Sequence, residues 1–156
     1  MKTKLLILFI STFLVTTTVQ SQEYKTSLGI RGGFPYGITF KHFLNDEGAV
    51  ELIASTLFRG IQLTGLYEMH RPTKEAPGLN LYYGGGAHAG YDDYSRWSNE
   101  YALGPIVGVD VLGGLEYTFD DLPLNVSLDI MPSMNLLGHL GFRIHGGISL
   151  RYIFSY

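Results

Sequence analysis

The sequence predicts an all-β fold: an eight-stranded antiparallel, up-and-down transmembrane β-barrel. Three observations carry this. Beyond residue 21, segments of about ten residues alternate apolar and polar side chains at period two, as strands do when one face meets lipid and the other a lumen. No apolar run in that region approaches the ~18 residues of a membrane-spanning helix. A chain that enters a bilayer here must therefore do so as a closed barrel, the sheet that leaves no backbone group unpaired in hydrocarbon. The third observation is the last sixteen residues, GFRIHGGISLRYIFSY. One face carries Phe142, Ile144, Gly146, Ile148, Leu150, Tyr152, Phe154 and Tyr156; the other carries Arg143, His145, Gly147, Ser149, Arg151, Ile153 and Ser155. Alternate aromatics suit an interfacial girdle, whereas in a soluble sheet they would lie exposed at a mobile terminus.

Residues 1–21 read as a separate object. Lys2 and Lys4 precede the apolar run 5–15, and a polar stretch ends in Val19, Gln20 and Ser21. This is the pattern of a cleaved signal peptide, leaving 22–156 as one barrel domain. The run is shorter than the ~20 residues of a helical anchor. The formal net charge of −3 becomes more acidic once Lys2 and Lys4 are removed, which gives no footing for a nucleic-acid partner. With no cysteine, neither a disulfide framework nor a lipidated cysteine is available.

The first strand is expected over 24–34, with Tyr24, Thr26, Leu28, Ile30 and Gly32 outward and Lys25, Ser27, Gly29 and Arg31 inward. Pro35, Tyr36 and Gly37 turn the chain into a second strand reaching residue 44, where Ile38 and Phe40 face out and Thr39 and Lys41 face in. Asn45, Asp46, Glu47 and Gly48 form a turn by composition. The third strand, 49–58, is the least regular. Val50, Leu52, Ala54 and Phe58 share one face, but Ile53 and Leu57 join Glu51 and Ser55 on the other. Arg59 and Gly60 reverse the chain into a fourth strand, with Ile61, Leu63, Gly65, Tyr67 and Met69 opposed to Gln62, Thr64, Leu66 and Glu68. Residues 70–78, with Pro72 and Pro77, are expected to loop.

The fifth strand, 79–91, sets Leu79, Leu81, Tyr83, Ala87 and Ala89 against Asn80, Tyr82, Gly84, Gly86, His88 and Gly90. A long irregular segment, 92–105, follows. The sixth strand opposes Val107, Val109, Val111, Leu115, Tyr117 and Phe119 to Gly108, Asp110, Gly114, Glu116 and Thr118, and residues 120–123 turn it. In the seventh, Leu124, Val126, Leu128 and Ile130 face one way and Asn125, Ser127, Asp129 and Met131 the other. Residues 132–140 form the last expected loop before the terminal strand.

Tyr152, Phe154 and Tyr156 give the chain its resemblance to the small outer-membrane β-barrel proteins, the OmpX/OmpA-like class, which close on a C-terminal strand with alternate aromatics and an aromatic last residue. The resemblance implies a monomer in the outer membrane of a Gram-negative bacterium, with both termini periplasmic. Its implied partners are outer-membrane lipids, lipopolysaccharide and, during biogenesis, the barrel-assembly machinery that reads such a strand. In that orientation the connections near 35, 59, 92–105 and 132–140 are extracellular, and those at 45–48, 70–78 and 120–123 are periplasmic.

The predicted inward faces hold Arg31, Lys41, Arg143 and Arg151 among bases and Glu51, Glu68, Asp110, Glu116 and Asp129 among acids. An eight-stranded barrel is only wide enough for side chains to fill, so these charges are expected to pair and plug the lumen. Hairpin geometry suggests Asp129 with Arg143. The alternative is a narrow ion or proton path. Glycine runs at 84–86, 113–114 and 146–147 lie inside strands with no helix start after them. They are read as bends and as room for Arg and Tyr side chains, not as phosphate cradles.

No catalytic group is assigned. His145 and Ser149 with Glu68 or Glu116 form a nucleophile, base and orienter on paper, and some small outer-membrane barrels modify lipid A. Those deacylases place histidine and serine two apart facing lipid, whereas here they are four apart and inward. His42, His70, His88 and His139 show no metal-ligand spacing, and no cofactor is expected. In the long loop, Tyr94, Arg96, Trp97 and Tyr101 suit either the headgroup interface or contact with a glycan or protein partner. A soluble lipocalin-like carrier remains as the inside-out alternative, with its aliphatic faces turned to a ligand.

Overall fold

The computed structural model of the chain describes residues 25–57, 60–74, 76–93, 103–138 and 141–155. Eight strands follow one another: β1 (Thr26–Phe34), β2 (Tyr36–Phe43), β3 (Gly48–Leu57), β4 (Gly60–Pro72), β5 (Leu79–Asp93), β6 (Leu103–Thr118), β7 (Leu124–Leu137) and β8 (Gly141–Ser155). Each pairs antiparallel with its successor, and β8 returns to β1, so the sheet is a closed barrel without edges along its wall. The termini of the described chain and the connections after β2, β4 and β6 lie at one end, here the terminal end; the connections after β1, β3, β5 and β7 lie at the far end.

Local chemistry explains the reversals. The Asn45 carboxamide oxygen accepts the N–H groups of Glu47 and Gly48 at 3.1 and 2.7 Å, closing the β2–β3 turn. Gly78 and Gly138 take φ of 80° and 89° before β5 and β8, where a side chain would be strained.

The period-two reading holds along the wall. Leu28, Ile30, Ile38, Leu52, Leu63, Leu81, Val109, Leu128, Ile148 and Leu150 are exposed on the outside, while Arg31, Lys41, Glu51, Glu68, Asp110, Glu116, Asp129 and Arg151 are buried inside. In β3, Glu51, Ile53 and Ser55 face inward and Leu52 and Ala54 outward, the faces its mixed pattern suggested. Ile53, Leu66, Tyr82, Leu112 and Met131 meet inside the lumen as its apolar cluster.

Several boundaries differ from expectation, most of them because strands outrun their hydrophobic alternation. The segment 70–78 is not all loop: β4 continues to Pro72, pairing His70 with Tyr82 and burying it. β5 and β6 extend into 92–105, pairing Asp92 with Gly104 and Tyr91 with Pro105. β7 runs through Pro132 to Leu137. Pro132 is tolerated there because the β6–β7 ladder skips Val111 and Leu112, so no partner on that side needs its missing N–H. The first hairpin is tighter than expected, with Gly37 already paired to Arg31. Lys25, expected inside, precedes β1 and is exposed.

Candidate functional site

The chemistry of the molecule is concentrated in its lumen, in three layers. Nearest the terminal end, β2, β3, β4, β6 and β8 point Lys41, Glu51, Glu68, Glu116 and Arg151 at one another, and all five are essentially sealed from solvent. The Lys41 Nζ donates to Glu116 at 2.9 Å and lies 2.8 Å from Glu68 and 3.5 Å from Glu51. Arg151 donates to Glu51 at 2.5 Å, to Glu116 at 3.2 Å and to the Ser127 hydroxyl at 2.9 Å. Thr39 donates to Glu51 and also accepts from Arg151. His70 stacks on Tyr82, centroids 5.2 Å apart, and its Nε2 lies 3.1 Å from Glu68, while Lys41 sits 4.5 Å above the Tyr82 ring. Buried charge needs such close partners, since removing an ion from water costs several kcal/mol.

The middle layer is organised by Asp129 on β7. Its two oxygens accept from Arg31 at 2.5 and 2.7 Å, and one also accepts from the Tyr82 hydroxyl at 2.9 Å. Arg31 and Tyr82 both come from strands that are not neighbours of β7, and each crosses an intervening strand at a glycine. A Cβ at Gly147 on β8 would lie 2.3 Å from the Arg31 guanidinium carbon, and one at Gly114 on β6 would lie 2.9 Å from the Tyr82 ring. Glycine is therefore what lets the two side chains lie flat against the wall and reach the same carboxylate. This is the room for Arg and Tyr expected of the glycine runs.

Toward the far end, His88 on β5 crosses β6 in the same way. Its Nδ1 lies 2.9 and 3.0 Å from the Asp110 oxygens, and its Nε2 lies 2.9 Å from the Asn135 carboxamide oxygen. Arg143 donates to Asp92 at 3.0 Å across the mouth, from β8 to β5. The expected Asp129–Arg143 pair does not form. The register sets Asp129 opposite Gly147 and Arg143 opposite Ser133, so Arg31 reaches Asp129 first, and Arg143 finds an acid on the extended β5.

His145 and Ser149 are both buried on the inner face of β8. Neither imidazole nitrogen of His145 has a hydrogen-bond partner among the described residues, whereas Ser149 lies 3.5 Å from Arg31. The nucleophile–base contact of an acyl-transfer site is not formed there. Glu68 and Glu116 are engaged by Lys41 and stand in the layer nearest the terminal end. Sequence reasoning missed His70 and Asp92 as lumen groups, because both were assigned to loops; the period-two count, continued two or three residues further, would have placed them inside.

Tyr152 and Phe154 are exposed on the outer face of β8, with ring centroids 6.2 Å apart. Tyr156 and the loop residues Tyr94, Arg96, Trp97 and Tyr101 lie outside the described residues. No protein-family model matches this sequence, and no curated protein matches it. The functional reading therefore rests on the residues themselves.

Proposed function

We propose that the chain is an integral outer-membrane β-barrel with a closed, polar lumen and no catalytic role, whose work is structural or is done by contacts at its extracellular rim. One observation carries this reading: the polarity of the barrel is inverted relative to a water-soluble one. Ion pairs fill the inside, and a belt of aliphatic side chains covers the outside, with Val111 62 % and Ile148 58 % exposed. In water that belt would forfeit about 25 cal/mol for each Å² of apolar surface; in hydrocarbon it loses nothing. A soluble carrier of an apolar ligand needs the opposite arrangement. The basic and apolar segment 1–21 fits export, and Tyr152 and Phe154 fit an interfacial girdle at the periplasmic end.

The far end is then extracellular. Its connections at 35, 58–59 and 138–140 are short, so surface contact falls to the residues 94–102, which include Tyr94, Arg96, Trp97 and Tyr101. The deciding experiment is gel mobility in SDS of protein taken from isolated outer membranes, with and without boiling. A closed hydrogen-bonded barrel runs as two distinct bands. A single band from protein recovered in the soluble fraction would end the reading.

A further inference from the structure

Of the buried apolar side chains on the inner faces, which also include Ala49, Ile106 and Ile153 nearer the strand ends, four stand at mid-strand, one each on β3, β4, β6 and β7. Ile53 stands between Glu51 and Ser55, Leu66 between Glu68 and Thr64, Leu112 between Gly114 and Asp110, and Met131 between Asp129 and Ser133. They do not scatter. Together with the ring of Tyr82 they form one buried cluster, each member no more than 4 % exposed. Beside them β5 contributes Gly84 and Gly86, which lie close against the β4 backbone, and β8 contributes Gly147, over which Arg31 lies bonded to Asp129. On β3, β4 and β7 a charged residue stands on one side and a hydroxyl residue on the other; on β6 Leu112 is flanked by Asp110 and Gly114.

We propose that this apolar septum, and not the ion-pair layer, is what closes the lumen to ions. The inference rests on the membrane reading above and adds the location of the barrier. The physical argument is one of hydration. An ion entering from the periplasmic end meets Lys41, Glu51, Glu68, Glu116 and Arg151, whose charges and polar atoms can stand in for lost water. At Ile53, Leu66, Leu112 and Met131 it meets groups that can replace none of it, and an apolar constriction excludes water as well as charge. On the remaining sector the Arg31 guanidinium, held by both oxygens of Asp129, fills the space beside β8. The ion pairs make the interior compatible with burial; the septum makes it impermeable.

The test is planar-bilayer conductance of the full mature protein and two kinds of variant, each first checked for the unboiled band shift that reports a closed barrel. Ile53→Ser with Leu66→Ser opens the septum. Ile53→Thr with Leu66→Asn does so with branched side chains larger than serine, in case the first variant does not fold. Lys41→Gln with Glu116→Gln replaces an ion pair by amides and leaves the septum intact. The expected result is a silent wild type, discrete conductance steps from a folded septum variant, and silence from the amide variant. Conductance by the wild type, silence from folded septum variants, or equal conductance from the amide variant would overturn the proposal. A wild type without a heat-modifiable band would remove the membrane barrel itself, and the septum as an ion barrier with it.

Discussion

At the scale of single residues, the lumen is a set of charges that are tolerable only together. Arg151 serves Glu51 and Glu116 at once, both sealed from solvent, so Arg151→Met leaves two carboxylates short of a partner in a medium that solvates them poorly. Loss of one partner from a buried pair costs about 3–5 kcal/mol. Under the proposed membrane setting, urea unfolding in lipid vesicles should show that loss as a lower midpoint. A change under about 1 kcal/mol, the range of exposed pairs, would mean that Arg151 is hydrated. The glycine crossings make a second residue-scale prediction. Gly147→Ala places a methyl where the Arg31 guanidinium lies and should detach it from Asp129. If that is the mechanism, Arg31→Ala and Gly147→Ala are not additive, and the double variant should be little worse than Arg31→Ala alone. Additive losses would show that the cost at Gly147 does not pass through Arg31, although the three atoms nearest that methyl all belong to Arg31.

At the scale of a strand, each element is one hairpin arm with a dry and a charged face, and the two faces should respond oppositely to charge. Leu128 on β7 and Ile148 on β8 are paired neighbours and both point outward. Under the proposed membrane setting, Leu128→Arg should destabilise by roughly 2–4 kcal/mol if the site lies near the bilayer midplane. On a water-exposed wall the same change would stay within about 0.5 kcal/mol. Unfolding in lipid vesicles measures the difference, and a neutral outcome would count against the membrane. The strand scale also explains the misplaced boundaries. Hydrophobic alternation fades toward the rims, where outward residues no longer need to be aliphatic, but the backbone ladder continues as long as a neighbour offers hydrogen bonds. Thus β4, β5 and β7 all run past their last clear alternation, to Pro72, Asp93 and Leu137.

At the scale of the whole molecule, closure is the property that joins the parts. Pairing of β1 with β8 removes the last free edge and brings Arg31 and Arg151 from opposite ends of the chain to the same wall, at the paired positions Arg31–Ser149 and Gly29–Arg151. Arg31 can then reach Asp129 across β8, and Arg151 can reach Glu51 across the lumen. A truncation that deletes β8 should therefore abolish the heat-modifiable band altogether. Retention of two bands would show that the remaining seven strands close without it.

The sequence by itself determined the number of strands, their order and which face of each turns inward, because a period-two pattern is local and each strand carries its own copy. It also placed most of the buried charges: Lys41, Glu51, Glu68, Glu116 and Arg151 lie on the polar faces that the alternation turns inward. Only the tertiary structure decided who meets whom. Asp129 bonds Arg31 and not Arg143, Arg143 finds Asp92 instead, and the mid-strand apolar residues Ile53, Leu66, Leu112 and Met131 gather in one cluster. These outcomes depend on the register between strands and on which glycines let a side chain cross its neighbour. Register is a relation between segments far apart in the chain, so no single strand contains it.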